Sequence, residues 1–356
     1  MAEIDHWHPL ISGRELRRKP VAVRLLGHDL VLFRTDTGEV GALEDMCPHR
    51  RSKLSTGTVV GDRLRCQYHA WTFDLKGNGE SPATPKMRAC AASYETREAF
   101  GYVWVRARGS NVPFPEFDVA GFTRIGELRH LLPAPLELAL DNFTEIEHTT
   151  INHHTFGHDL GDIAGVTVRT EATPERVLVN TVGPTKRINW IKRLFFGAWR
   201  GFHFHGHSYT AFSPVHVRFD HWWASPDNTR QGLVRWRIFI FFVPEDADDT
   251  RVISFMYAKS RWPGASLGWP LIRAFYMHET DREIRRDINL VSNLADKSVG
   301  LEGLKLSRFD KVMGLTRDRI ERVYRGKPER AARGTETCAP ELVKLGEAQP
   351  PRACLE

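Results

Sequence analysis

Between residues 20 and 107 the apolar positions fall in short runs or alternate with polar ones, as in VAVRLLG, LVLFRT, RLRCQYHAWTF and GYVWVRA. Turn-forming clusters separate them: Gly27-His28, Thr35-Asp36-Thr37-Gly38 and Gly77-Asn78-Gly79. Short runs bounded by such turns predict strands, so this region reads as a small all-β unit. The segment NVPFPEFDVAGF, residues 111–122, carries two prolines two residues apart and reads as a linker. Farther on, LELALDNFTEIEHTTI (136–151) has helical character. RVLVNTV, HSYTAFSP, VHVRFDHWWAS, VRWRIFIFFVP and TRVISFMYAKS read as strands of an antiparallel sheet with one covered face. A helical pattern returns from about Trp269 to Asn293. From about Lys327 the periodicity is lost, which predicts an extended or loosely held tail.

The pattern thus predicts an α+β chain with three parts. An all-β domain with its lead-in spans 1–118, a mixed domain with an antiparallel sheet spans 119–330, and a tail spans 331–356. A chain of 356 residues suits two domains of ordinary size. With 41% hydrophobic and 26% charged residues it has the make-up of a globular protein. There is no run of eighteen apolar residues and no basic, apolar leader at the N-terminus, so a cytoplasmic location is expected. The net charge of +6 comes from scattered bases, which argues against nucleic acid as a partner. Five cysteines are too few and too scattered for a disulfide framework, and they leave metal ligation open.

Two cysteines do sit in a ligand pattern. Cys47-Pro48-His49 is followed, after sixteen residues, by Cys66-Gln67-Tyr68-His69. Two Cys–His pairs suit a [2Fe–2S] cluster of the Rieske type, with two thiolates on one iron and two neutral imidazoles on the other. A zinc finger orders its ligands differently, as a Cys pair followed by a His pair. The flanking sequences CPHR and CQYHAWTFD resemble those of the Rieske oxygenases.

A second constellation lies in Asp141-Asn142-Phe143-Thr144-Glu145-Ile146-Glu147-His148-Thr149-Thr150-Ile151-Asn152-His153. Two His and a carboxylate on one face of an iron leave positions open, as a non-haem Fe(II) oxygenase requires. Five residues apart on a regular helix, His148 and His153 would lie about 140° apart. A break or a π-type bulge is therefore expected between them. Asp281 and Asp287, six residues apart in HETDREIRRDINLVSN, are the candidates for the third ligand. Asp287 lies nearer the apolar stripe of Ile284, Ile288 and Val291 and is preferred, leaving Asp281 as a solvated or ion-paired surface residue. His154 and His158 read as ordinary polar residues near a helix end.

Both motifs, in this order, resemble the α-subunits of Rieske non-haem iron oxygenases over roughly residues 5–325. The resemblance implies a Rieske β-domain followed by a helix-grip catalytic domain. It implies one [2Fe–2S] cluster per subunit on Cys47, His49, Cys66 and His69. It also implies one mononuclear Fe(II) per subunit on His148, His153 and the carboxylate, with Asn142 near the metal. A homotrimer is implied too, in which one subunit's cluster serves the next subunit's iron. The residue that bridges them in this family is usually Asp; here it is Glu145, one methylene longer. No GxGxxG or flavin motif is present, so a separate ferredoxin or NAD(P)H-dependent reductase is implied as electron donor. The substrates implied are small apolar molecules together with O2: sterols or steroids, small aromatics, or aryl amines. The rivals are a Rieske electron-transfer protein without its own oxygen chemistry, and a ligand-binding protein with a vestigial cluster.

Three further features have two readings each. His203, His205 and His207 alternate and would share one face of a strand, as a second metal site or a polar pocket lining. Lys186 to Arg200 mixes bases with large apolar residues. It reads either as an amphipathic segment that touches a membrane or covers a pocket mouth, or as a core-packed helix with a solvated basic edge. Trp222, Trp223, Phe241 and Phe242 read as core rather than substrate contacts.

Overall fold

A computed structural model describes residues 2–261 and 265–328 of the protein. The expected tail over 331–356 lies outside the described residues. The N-terminal third contains strands β1 (His8–Ser12), β2 (Val21–Leu25), β3 (His28–Arg34) and β4 (Val40–Glu44). Five short strands follow, β5 (Thr58–Val60), β6 (Arg63–Arg65), β7 (Thr72–Phe73), β8 (Asn78–Glu80) and β9 (Arg88–Cys90), then β10 (Ser93–Ala99) and β11 (Tyr102–Ala107). They form two sheets, β1-β11-β10-β4-β3-β2 and β5-β6-β7-β8-β9. Residues 111–122 are irregular apart from a turn at 120–121, as the proline spacing predicts.

The rest of the chain is built on one seven-stranded antiparallel sheet. Its strands are β12 (Thr123–Leu132), β13 (Thr167–Ala172), β14 (Arg176–Pro184), β15 (His203–Phe212), β16 (Val215–Ala224), β17 (Gln231–Pro244) and β18 (Thr250–Ser260), ordered β12-β18-β17-β16-β15-β14-β13. The helices are α1 (Leu136–Thr144), α2 (Thr149–Asn152), α3 (Trp190–Phe196), α4 (Ala265–Ser292) and α5 (Lys311–Arg319), the last running into a π-helical turn at Ile320–Tyr324. No described helix is long and apolar enough to cross a membrane.

The expectation of a sheet with one covered face is wrong for its central strands. Phe239, Phe241 and Val243 of β17, with Ile253, Phe255 and Tyr257 of β18, share a core with Tyr102 and Trp104 of β11. Trp104 meets Phe241 edge-on at 5.1 Å and Tyr102 meets Phe255 at 5.0 Å. Ile238, Ile240 and Phe242 face the other way, into a core shared with α1, α4 and α5. The continuous run RIFIFFVP is what two-sided burial demands, since neither parity of the strand meets water.

The helix expected over 136–151 is broken. α1 stops at Thr144, Glu145 is extended (φ −86°, ψ 153°), and only Thr149–Asn152 resumes helix before His153 turns extended (φ −86°, ψ 148°). His148 therefore enters a single helical turn and His153 leaves it. This is the expected break, without a π-bulge.

Candidate metal centres

The four N-terminal residues sit on two loops of the same design. Cys47 follows β4 and Cys66 follows β6. In each loop a residue in the left-handed region closes the turn: Arg51 (φ 58°) donates its N–H to Cys47 O at 2.8 Å, and Ala70 (φ 56°) to Cys66 O at 3.1 Å. The Cys47 N–H then bonds to Ser52 O at 2.8 Å and the Cys66 N–H to Trp71 O at 2.7 Å. Both thiols are buried, with burial pushing the Cys47 thiol up and Cys66 close enough to add to the effect. The His49 and His69 rings meet at 4.6 Å toward the surface, and His49 stacks on Trp71 at 5.4 Å. Two inward thiols and two outward imidazoles fit a [2Fe–2S] cluster with unequal irons.

The second group is assembled by the break after α1 and one face of α4. His148, His153 and Asp287 place their ligand atoms within 4.8 Å of one another. One oxygen of Asp287 lies 2.8 Å from His153 Nε2 and 3.3 Å from His148 Nε2. The rings of the two histidines are perpendicular, 5.0 Å apart. Burial works against charge on His148, but Asp287 and Glu145 outweigh it and push the imidazole up to about 9. Burial likewise opposes the Asp287 carboxylate, and His153 and His148 hold it down at about 2. Asp287 is 3% exposed, and its described partners are the two histidines and the Asn152 amide at 3.1 Å. A buried carboxylate without Arg or Lys, facing two imidazole nitrogens, is the donor set a divalent cation completes. Asp281, by contrast, pairs with His130 at 2.8 Å and Arg285 at 2.7 Å, away from this group.

Glu145 orients His148. One carboxylate oxygen bonds His148 Nδ1, which turns Nε2 toward Asp287. The other accepts the N–H of Glu147 at 2.6 Å and of His148 at 3.3 Å. Asn142 borders the same space, and its Nδ2 has no partner among the described residues.

Sequence reasoning missed the supports of His153. Glu279, Glu283 and Asp287 recur every four residues along α4, and each grips the extended segment after α2. Glu279 accepts from Thr155 Oγ1 at 2.8 Å, both oxygens of Glu283 lie 3.1 Å from the His154 N–H, and Asp287 holds His153. The four-residue carboxylate spacing was the available signal. Lys186 was missed as well: its Nζ donates to Thr149 O at 2.6 Å and Thr150 O at 2.8 Å, carbonyls of the short helix α2, the first of which also accepts the His153 N–H at 3.3 Å.

A cavity of about 860 Å³, mouth included, opens beside the three ligands, between α1, α4 and the inner face of the large sheet. Phe156, Val179, Phe204, Ile238 and Ile240 make its walls apolar. His158 and His221 also line it, and neither was singled out from sequence as a pocket residue. Burial drives His221 down to about 4. His203, His205 and His207 do share a face of β15, but Phe204, Gly206 and Ser208, of opposite parity, line the cavity. The expected polar lining is therefore corrected: His205 stacks on Trp222 at 5.2 Å and His207 meets it edge-on at 4.6 Å. Trp222, Trp223, Phe241 and Phe242 are buried and none lines the cavity.

The basic edge of residues 186–200 is only partly solvated: Arg187 and Arg200 are exposed, but not every base is. Lys186 is turned inward, and Lys192 pairs with Glu279 at 2.5 Å. Trp190 (74% exposed), Ile191, Leu194 and Trp199 face outward, while Phe196 is buried.

Known proteins share the N-terminal domain and the fold of this chain. Residues 6–95 match the model of the Rieske [2Fe-2S] domain. The chain is 31% identical over 163 residues to the chloroplastic protein TIC 55 of Arabidopsis thaliana, covering 42% of this chain and 30% of that one. It is 33% identical over 166 residues to the methylxanthine N1-demethylase NdmA of Pseudomonas putida, covering 41% and 46%. The chain thus spans less than half the length of these curated relatives. Its fold matches the crystal structure of dicamba monooxygenase bound to 3,6-dichlorosalicylic acid with a TM-score of 0.75 at 17% identity, covering 90% of this chain and 97% of that one. The chain therefore contains a Rieske [2Fe–2S] domain, and its fold is that of the solved Rieske oxygenase structures it resembles.

Proposed function

We propose that this chain is the oxygenase component of a Rieske non-haem iron system. It takes electrons from a separate ferredoxin or reductase and uses O2 to hydroxylate, demethylate or otherwise oxidise an apolar molecule. The observation that carries this reading is the convergence of His148, His153 and Asp287 at the edge of an apolar cavity. Cys47, His49, Cys66 and His69 would hold the cluster, and His148, His153 and Asp287 the mononuclear iron. When bound, these groups supply the electron transfer and oxygen activation that side chains cannot perform. The chain's own residues supply orientation. Glu145 fixes the rotation of His148, Glu283 and Lys186 fix the segment that carries His153, and the aromatic walls exclude water from the cavity. A homotrimer would bring Glu145 between His148 and a cluster ligand of a neighbouring subunit. The carboxylate would bridge through lone pairs left free by its own-chain contacts.

Within the substrate class, the exposed apolar edge of α3 supports a lipid-like or sterol-like molecule arriving from a membrane. Failure of the purified protein to sediment with liposomes, together with failure to bind any polycyclic lipid, would remove that refinement. The core proposal is tested by metal analysis and oxygen consumption. Three irons per chain and reductant-dependent O2 uptake support it. Two irons and no uptake leave only an electron carrier.

A further inference from the structure

The cavity holds one polar atom whose state the structure determines. His158 is 1% exposed, and its Nδ1 lies 2.9 Å from the carbonyl oxygen of Pro184. A carbonyl only accepts, so Nδ1 carries the proton. The neutral ring then presents Nε2 as a bare acceptor. Nε2 is buried and has no partner among the described residues. Burial moves this imidazole below its ordinary value, which keeps it neutral. A buried acceptor left unpaired carries a desolvation cost that a donor on a bound molecule would remove.

Charge narrows the class further. The acidic groups around the cavity are Asp287, Glu145 and Glu283, and no Lys or Arg lines it among the described residues. The bases beside it are already engaged, Lys186 with backbone carbonyls, Lys192 with Glu279 and Arg286 with Glu283. An iron at the three ligands would face Asp287 directly and Glu145 through His148, while Glu283 is paired with Arg286. An anionic guest would therefore be buried without a countercharge of its own.

We propose that this cavity selects a neutral, mostly apolar molecule that donates one hydrogen bond to His158 Nε2, and that it rejects carboxylates. The inference rests on the cavity being the substrate site of the proposed oxygenase. It is tested by calorimetric titration of the full chain, loaded with both metal groups and kept anaerobic, without reductase. Three probes share one ring system: indole is neutral with a donor, 1-methylindole is neutral without one, and indole-3-carboxylate is an anion.

Indole is expected to bind about tenfold more tightly than 1-methylindole, and at least about a hundredfold more tightly than the carboxylate. His158→Phe, which keeps a ring but removes the acceptor, should abolish the difference between the first two and leave 1-methylindole unchanged. If that variant does not fold, the wild-type series alone decides. Failure of indole to bind, equal binding of 1-methylindole, or tighter binding of indole-3-carboxylate overturns the inference. Turnover is not read. An inactive protein that keeps the donor preference refutes only the oxygenase proposal, and an active one that binds all three alike refutes only this inference.

Discussion

Replacing Glu283 should loosen the mononuclear site without touching the cluster. Glu283 is 3% exposed and contacts no proposed ligand. Its two oxygens accept the His154 N–H at 3.1 Å each, and Arg286 Nη1 donates to one of them at 3.1 Å. Glu283→Ala removes a charge-assisted hydrogen bond worth about 1.5–3 kcal/mol. It also strips one methylene of buried contact, at about 0.8 kcal/mol. The expected loss is about 2–4 kcal/mol, most of it local to the segment that carries His153. Glu283→Gln keeps one acceptor oxygen and the volume but loses the charge, so about 1–1.5 kcal/mol is expected. Iron per chain is the first readout: it should fall from three toward two in Glu283→Ala, while the visible spectrum of the cluster stays at wild-type intensity per chain. Urea unfolding supplies the second, with Gln between wild type and Ala. Two results would refute the reasoning. One is a Glu283→Ala protein with full iron and unchanged stability. The other is equal loss of cluster and mononuclear iron, which would mark a global rather than a local effect.

Other expectations follow from the same contacts. Asp287→Ala or His148→Ala should leave two irons per chain and an intact cluster spectrum, with substrate-dependent O2 uptake abolished; Asp281→Ala should keep all three irons. Glu145→Gln should retain iron but slow reoxidation of the reduced cluster at least about tenfold, since Gln can offer His148 Nδ1 only a neutral acceptor; stopped-flow spectroscopy checks this. His8 and His216 are buried neutral, and burial lowers them to about 3 and about 4. Their folded values lie below the unfolded 6.5, so the unfolded chain takes up protons first as pH falls. Stability is then full well above pH 6.5 and falls as pH drops through it, by about 1 kcal/mol per histidine between pH 6.5 and 5.5. Urea midpoints at the two pH values should show this, and His216→Gln should flatten the slope. Tyr324→Phe removes the hydroxyl that meets His8 Nε2 at 2.9 Å and should cost about 1–2 kcal/mol in thermal or urea unfolding.

What could be read from sequence was whatever depends on neighbours along the chain. The two Cys–His loops are local, and both close within six residues on backbone hydrogen bonds, so order and spacing suffice to recognise them. Strand periodicity is local too, and β18 begins and ends where the run TRVISFMYAKS does. The break between His148 and His153 followed from helical geometry alone. The choice of Asp287 over Asp281 needed only the direction of a buried stripe on one helix.

Tertiary structure decided the rest, because it brings together groups that are more than a hundred residues apart. The grip of Glu279, Glu283 and Asp287 on residues 153–155 joins positions separated by 124 to 134 residues. No local pattern announces it until the helix is docked. His158 read as an ordinary polar residue near a helix end, flanked by Gly157 and Asp159. Its burial comes from β14, whose Pro184 carbonyl sets its tautomer. The alternating histidines of β15 show the same limit. Period two told that they share a face, but not which face, and the docked helices and N-terminal strands put the cavity on the other side.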